Sequence, residues 1–293
     1  MRTVRRLPDE QLALLVAAYR QAVIAKRRQA AFIALAVGLV IVLAARAGEV
    51  DLVKFTSNIH RLPSYLRDIT PALTFAHLGS DLAEWFWNID GWLHLLVDTL
   101  LMAYLGTLLG AIGGFLLCFA AAVNLTRRAF VRWLARRFLE FCRTVPEIVF
   151  ALVFVVAFGL GAMPGVLALA IHTMGALGKQ FAEVIENIDM KPVEGVTAAG
   201  GNFAAIARFA VVPQVLSNFT SYALLRFEIN VRGAAVMGFV GAGGIGQDLL
   251  EAIRKFYYAD VSAILVLIIA TVIMIDLLTE RVRYAFIGRS VRP

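Results

Sequence analysis

No charged residue separates Asp98 from Arg127, and none separates Glu147 from Lys179. A spanning helix needs about 20 predominantly apolar residues. Irregular backbone cannot face lipid, because its N–H and C=O groups would go unpaired, so such stretches are expected as helices packed in a bundle. Composition agrees: 60% of the 293 residues are apolar and 17% charged, against about a quarter charged in an ordinary soluble domain. The balance speaks against a soluble globular enzyme and against a disordered chain. The net charge of +7 would suggest nucleic acid in a soluble protein. In a membrane protein it reflects Lys and Arg kept on cytoplasmic loops, so no nucleic-acid partner is expected. Cys118 and Cys142 fall in or near apolar segments, which argues against a disulfide framework or a zinc site.

The expected fold is an all-α membrane protein with six transmembrane helices. The first span covers 29–45 between Arg28 and Arg46, and the second runs from Trp92 to Val123. The uncharged stretch after Glu147 is too long for one helix. Gly159-Leu-Gly-Ala-Met-Pro164-Gly165 divides it into spans at 141–161 and 164–182. The fifth span runs from Pro213 to Val240 and the sixth from Tyr258 to Leu278. Basic residues cluster before the first span (Arg2, Arg5, Arg6, Arg20, Lys26, Arg27, Arg28) and in the loop with Arg127, Arg128, Arg132, Arg136, Arg137 and Arg143. Lys179, Lys191 and Arg208, then Arg281, Arg283, Arg289 and Arg292, continue the same side. Both termini are therefore expected in the cytoplasm.

In domain terms, 1–28 is a cytoplasmic tail, 29–47 the first span, 48–91 an outer loop, 92–280 a five-span core and 281–293 a second tail. Within the first tail, Pro8-Asp9-Glu10 reads as a helix start. Leu12, Leu15, Val16, Tyr19 and Val23 follow at helical spacing, which suits a helix lying on lipid. A cleaved signal peptide ending near Ala45-Arg46-Ala47 is the rival reading, but residues 1–28 make an over-long basic region and the apolar run exceeds the usual length. Trp85, Trp87 and Trp92 read as an aromatic belt where the outer loop re-enters the bilayer.

The motifs of bond chemistry are missing from the sequence. His60, His77, His94 and His172 form no H-x-x-x-H pair, and no P-loop or G-x-S-x-G elbow occurs. No cofactor, metal or catalytic residue is expected. His94 and Asp98 read as a polar pair anchoring a helix end. Gly241-Ala-Gly243-Gly244-Ile-Gly246 satisfies G-x-G-x-x-G, but a dinucleotide loop needs a strand before it. Here a membrane span precedes it. Gly241, Gly243, Gly244 and Gly246 are read instead as a bend or gate at the outer mouth, since glycine permits sharp turns and close helix approach.

Between the fourth and fifth spans the chain reads Glu194-Gly195-Val196-Thr-Ala-Ala-Gly200, then nine residues, then Ala210-Val211-Val212-Pro213. Asp189 and Pro192 suit a helix N-terminus, Glu194 complements its dipole, and Gly200-Gly201-Asn202 supplies a turn. The segment resembles the E-A-A-x(3)-G-x(9)-I-x-L-P signature of ABC importer permeases. Glu194, Gly200 and Pro213 match it in spacing, while Gly195, Val196, Ala210 and Val212 depart from it. Phe227-Glu-Ile-Asn230-Val-Arg232, followed by Met237-Gly-Phe-Val-Gly-Ala-Gly-Gly-Ile-Gly246-Gln247, is similar to the phosphonate importer permeases. So are the runs from Asp98 to Thr107, Arg143 to Glu147 and Gly178 to Glu183. The likeness covers about 92–288.

That resemblance implies a homodimeric permease in a bacterial inner membrane, two cytosolic ABC ATPase subunits, and a substrate-binding protein at the outer face. A coupling helix at about 190–203, with Glu194, Gly195, Val196 and Gly200, would dock on the ATPase. The permease itself would perform no bond chemistry, the ATPase subunits supplying hydrolysis. Methionine or phosphite are alternative cargoes, and a membrane-embedded lipid enzyme is the alternative of another class.

The fifth span carries its own signal. Gln214, Asn218, Ser221, Glu228 and Arg232 follow steps of three, four and seven and so make one polar stripe. Glu228 precedes Arg232 by four, the favourable order for an ion pair. Arg226 lies about 200° from Glu228 at ~100° per residue, beside Tyr222 and Asn230. Intramembrane charges face a bundle interior or a watery path. Both a pathway for a polar substrate and a helix-locking Glu228–Arg232 pair fit the stripe.

Overall fold

With no water in a bilayer to pair with backbone, each apolar stretch closes its hydrogen bonds within a helix. The computed structural model describes residues 9–71 and 76–290, and all regular structure among them is helical. The expectations placed on Arg2, Arg5, Arg6, Pro8 and Arg292, and on the side chains of Leu12, Leu15 and Arg289, lie outside what is described. The chain divides into two units at Tyr65–Leu66.

The first unit is dominated by α1 (Asp9–Ala47), whose apolar stretch Val16–Ala47 holds no buried residue among those described. The helix expected in the tail and the first span are thus one continuous helix. Its 39 residues reach about 58 Å at 1.5 Å per residue, well beyond a hydrocarbon core of ~30 Å. Two short helices follow, α2 (Leu52–Asn58) and α3 (Arg61–Ile69), the second crossing into the next unit.

In the second unit α4 (Leu78–Trp85) leads into α5 (Ile89–Ala121). Next come α6 (Ala129–Thr144), α7 (Glu147–Phe158) and α8 (Ala162–Glu186). The expected single span at 141–161 is instead broken: α6 and α7 meet at 85°. Pro146 explains the break. It has no N–H to give, and it forces the preceding residue out of helical geometry; Val145 is extended at φ −73°, ψ 122°. Beyond α9 (Lys191–Ala198), a single turn α10 (Phe203–Ala205) passes through a π-helical turn at Ile206–Val211 into α11 (Val212–Met237). The wide turn, closed by Val212 N–H donating to the Ala207 carbonyl, lies where Pro213 cannot donate to the ladder. A 3-10 turn, then α12 (Ile245–Arg254) and α13 (Tyr258–Ser290), complete the chain.

Among the described residues four helices are long and apolar enough to cross a membrane, or five if α6 and α7 count as one broken span. α8 is not among them. It packs against α5 and α6, and its buried positions include Gly165, Thr173, Gly175 and Gly178 where a lipid-facing helix carries large aliphatics. A sheltered helix needs less hydropathy than an exposed one.

The close approach of α5 to α8 organises this unit. Gly106, Gly110 and Gly114 recur four apart, so they share one face of α5. A methyl group built on Gly106 would lie 2.6 Å from Leu169 Cβ, one on Gly110 2.6 Å from Thr173 Cβ, and one on Gly114 2.8 Å from the Gly178 nitrogen. Small residues at this spacing let helix backbones touch where no hydrophobic effect draws them together. On its other side α8 presents Gly175 to the backbone of α6, where an added methyl would meet Arg143 N at 2.6 Å. The tryptophans expected as a belt also make tertiary contacts. Trp85 Nε1 donates to Ser262 Oγ (3.0 Å) and Trp87 Nε1 to Asp260 Oδ1 (3.0 Å), tying α4 and the start of α5 to the start of α13. Trp92 is buried beneath them.

Gly110→Leu is expected to separate α5 from α8 and to lower stability by about 1–3 kcal/mol or more, the range for overpacking. Gly38→Leu on α1, where an added methyl meets nothing within 4 Å, serves as the control and should shift stability by less than ~0.5 kcal/mol. Thermal unfolding of the detergent-solubilised protein compares them; an equal melting point for the two variants would contradict the packing assignment.

Candidate functional site

Three places in the second unit gather the residues singled out by sequence. The first is the loop between α8 and α11. Asp189 Oδ1 accepts from Lys191 N–H at 3.0 Å, and Pro192 sits in the first turn of α9, so the helix starts as its sequence dictates. Glu194 and Gly195 are exposed, Val196 is half-buried and Val193 packs inward. Gly200 has φ +80°, a left-handed conformation that costs an L side chain roughly 1–2 kcal/mol. Asn202 Oδ1 then accepts from Ala205 N–H at 2.9 Å and starts the next helix.

Gln214, expected on the polar stripe of α11, reaches back to this loop. Its Oε1 accepts from Asp189 N–H (3.1 Å), and its Nε2 donates to the Asp189 carbonyl (3.2 Å) and the Ala210 carbonyl (2.6 Å). Both backbone groups of Asp189 are therefore tied to α11. Gln214 and Asn218 also line an open cavity of about 520 Å³ with Gln180, Glu183, Asn187, Asp189 and Tyr222. The Ser221 hydroxyl, next along the stripe, is buried without a hydrogen-bond partner among the described residues.

The second place is the middle of the bundle, and here the expected ion pair is corrected. Arg232 does not pair with Glu228. Its Nη2 donates to both carboxylate oxygens of Asp276 at 3.0 Å, and Glu228 accepts from the Thr279 hydroxyl. Spacing within one helix favoured the local pair, but α13 lies against this face of α11 and offers a carboxylate and a hydroxyl in better positions. The opposite face of α11 points into the bundle. Asn230, 1% exposed, donates from Nδ2 to Thr107 Oγ1 and to Thr173 Oγ1, each at 2.8 Å, joining α5, α8 and α11. The half-buried Arg226 makes one long bond, Nε to Thr173 Oγ1 at 3.4 Å.

At the broken span, His172 Nδ1 meets the Val145 carbonyl at 3.1 Å, and its Nε2 lies 3.6 Å from Glu147 Oε2. Thr107, Glu147, His172, Thr173 and Asn230 were not read as site residues from sequence. Their legible signal is a polar side chain inside an apolar stretch, but only the fold brings four helices to one depth.

The third place is the glycine-rich turn after α11. Gly241, Gly243 and Gly244 have φ of +80°, +82° and +79°. Gly246 is required for another reason, since an added methyl would fall 1.9 Å from the Ala235 carbonyl oxygen. The turn is held by Gly161 N–H donating to Gly241 O (3.1 Å) and Ile245 N–H donating to Thr99 Oγ1 (2.9 Å). Helix stands on both sides of it, so its surroundings are those of a bend between a span and a short helix rather than of a strand-borne dinucleotide loop.

A family model described as "Binding-protein-dependent transport system inner membrane component" matches residues 106–292. The phosphite transport system permease protein PtxC of Stutzerimonas stutzeri is 38% identical over 259 residues, covering 88% of this chain and 90% of that protein. The phosphate-import permease protein PhnE of Mycolicibacterium smegmatis is 44% identical over 196 residues, covering 67% of this chain and 37% of that longer protein. Among solved structures, a chain of the MetNI methionine ABC transporter in inward-facing conformations matches with a TM-score of 0.57 at 19% identity, over 67% of this chain and 95% of that one. At that identity the likeness speaks for the fold.

The ion pair between α11 and α13 is tested by a mutant cycle. Arg232→Gln leaves Asp276 without its partner in a largely apolar setting and should reduce folded yield. Adding Asp276→Asn should restore most of it, while adding Glu228→Gln should not. Size-exclusion yield in detergent reads the outcome, and rescue by Glu228→Gln instead would reinstate the local pair.

Proposed function

Because the chain belongs to the family of binding-protein-dependent transport system inner membrane components, we propose that it is the permease subunit of an ATP-driven importer of phosphorus oxyanions, phosphonates or phosphite. The observation that carries this reading is the match to a phosphite permease along nearly the whole of both chains. Arg226 and the donors around it support the choice of an anion, since an anion crosses hydrocarbon only where donors and positive potential compensate its lost hydration.

In this reading two copies of the chain assemble with two cytosolic ATPase subunits, and a binding protein delivers cargo at the outer face. Six helices cross the membrane, with α8 sheltered by α5 and α6, and both termini are cytoplasmic. Glu194, Gly195, Val196 and Gly200 face the ATPase. Gln214 carries the movement of that loop into α11, whose inward face brings Arg226 to the path, while Glu228 and Arg232 hold the other face to α13. Gly241, Gly243, Gly244 and Gly246 form the outer bend. The chain moves its cargo without making or breaking a bond in it.

Uptake of phosphite and methylphosphonate into proteoliposomes carrying the permease, its ATPase and its binding protein tests the assignment. Transport of methionine but of neither phosphorus compound would defeat it. Arg226→Gln should lower uptake about tenfold or more, the cost of ~1.4 kcal/mol, without loss of assembly.

Glu194→Arg combined with Gly200→Val should leave the permease folded yet release the ATPase, read by co-purification; wild-type uptake by this double variant would remove the coupling assignment. Topology is checked in a cysteine-free background, where Ser57→Cys should react with an impermeant thiol reagent from the outside and Arg132→Cys only from the inside.

A further inference from the structure

Glu147 is a mid-bundle carboxylate with no part in the α9 loop, the α11–α13 pair or the glycine turn. It follows Pro146, so the break between α6 and α7 brings the first turn of a new helix, and this charge with it, inside the unit. The orphan carbonyl at the break, that of Val145, meets His172 Nδ1, and the other edge of the same ring faces Glu147. On its far side Glu147 lies against α11, where a methyl on Gly233 would come 3.5 Å from Oε1. It lines an open groove of about 460 Å³ shared with Ile229, Arg232 and Gly233. Arg232 in that groove is matched by Asp276.

Arg226 is the opposite case. Among the described residues it has no carboxylate within 4 Å, and its single bond goes to a neutral hydroxyl. Four of its five N–H donors are left over. Yet Arg226 and Glu147 reach adjacent residues of α8: Arg226 touches Thr173, and Glu147 faces His172 at 3.6 Å. The result is a cation and an anion held near one another but apart, on α11 and on the broken span.

We propose that Arg226 and Glu147 form a divided charge pair, in which Arg226 contacts the passing oxyanion and Glu147 limits how tightly and at what charge it is held. The proposal rests on the importer reading for its cargo and adds the charge rule. A guanidinium alone would bind a dianion more tightly than a monoanion and release it slowly. A carboxylate nearby offsets about one unit of that charge. The site then favours singly charged phosphorus oxyanions and disfavours multiply charged ones such as diphosphate. Glu147 is thus a specificity-determining residue, and Thr173 positions Arg226.

The test is equilibrium binding of phosphite, methylphosphonate and sulfate to the permease–ATPase complex in nanodiscs, without binding protein. Glu147→Gln should tighten binding about tenfold, within the reach of one unit charge several ångströms away inside a protein, and most for dianions. Glu147→Ala, which removes volume as well as charge, should shift binding in the same direction. Arg226→Gln should abolish the gain in the double variant. A purely structural role for Glu147 would loosen binding or leave it unchanged.

No tightening with any of the three anions in either Glu147 variant overturns the proposal, as does a gain that survives Arg226→Gln. Failure of the wild-type complex to import phosphorus oxyanions in proteoliposomes is a separate result that counts against the cargo. The binding cycle, read with sulfate as well, still decides the charge rule.

Discussion

The contact between α5 and α8 through Gly106, Gly110 and Gly114 is the constraint on which the rest of the second unit depends. Lipid gives helices no hydrophobic reason to associate, so backbone-to-backbone packing and interhelical hydrogen bonds must do it. The glycine face lets α8 come close enough for Thr107 and Thr173, one residue beyond Gly106 and four beyond Leu169, to reach the same amide of Asn230. A larger residue at Gly110 would part these donors and acceptors and leave an amide unpaired in the bundle. The polar centre and the small-residue face are therefore a single device: one permits the approach, and the other fixes which helices make it.

Departures from regular helix occur where the backbone finds another partner. At Val145–Pro146 the freed carbonyl meets His172. At Pro213 the ladder is reset by a π-helical turn, and Gln214 there ties the α9 loop to α11. After α11, the glycine turn is held by Thr99 and by the turn before α8. Such breaks are tolerated at membrane depth only when protein satisfies them. In this chain they stand at the proposed coupling loop, at the mid-bundle charges and at the proposed outer bend. The proposed transport function thus uses the points at which the helical rule is relaxed.

The α11 helix illustrates how two faces of one element divide the work. One face holds Glu228 and Arg232 against Thr279 and Asp276 of α13. The other turns Arg226 and Asn230 toward α5 and α8. Arg232 is matched in charge and Arg226 is not, although both are arginines in the same helix. The difference arises from α13, whose Asp276 stands against one face only.

The amino-acid sequence by itself determined that the chain is a helical membrane protein. Uncharged runs of such length admit no other solution in lipid, and the basic loops set the expected orientation. It also carried the α9 helix, its start at Asp189–Pro192 and its stop at Gly200, because capping, dipole and left-handed turns are local properties. The glycine spacing on α5 was not read as a packing face, because its partner α8 lies far along the chain. Tertiary structure alone decided the rest. Helical spacing pointed Glu228 to Arg232, but a carboxylate 44 residues further along the chain wins, because packing of α13 brings both oxygens of Asp276 to Arg232 Nη2. The broken third span was read as one helix, since hydropathy averages over a proline that the backbone cannot ignore. Glu147, His172, Thr173 and Asn230 gained their roles only when α7, α8 and α11 met, because a contact between distant residues leaves no periodic trace in any one of them.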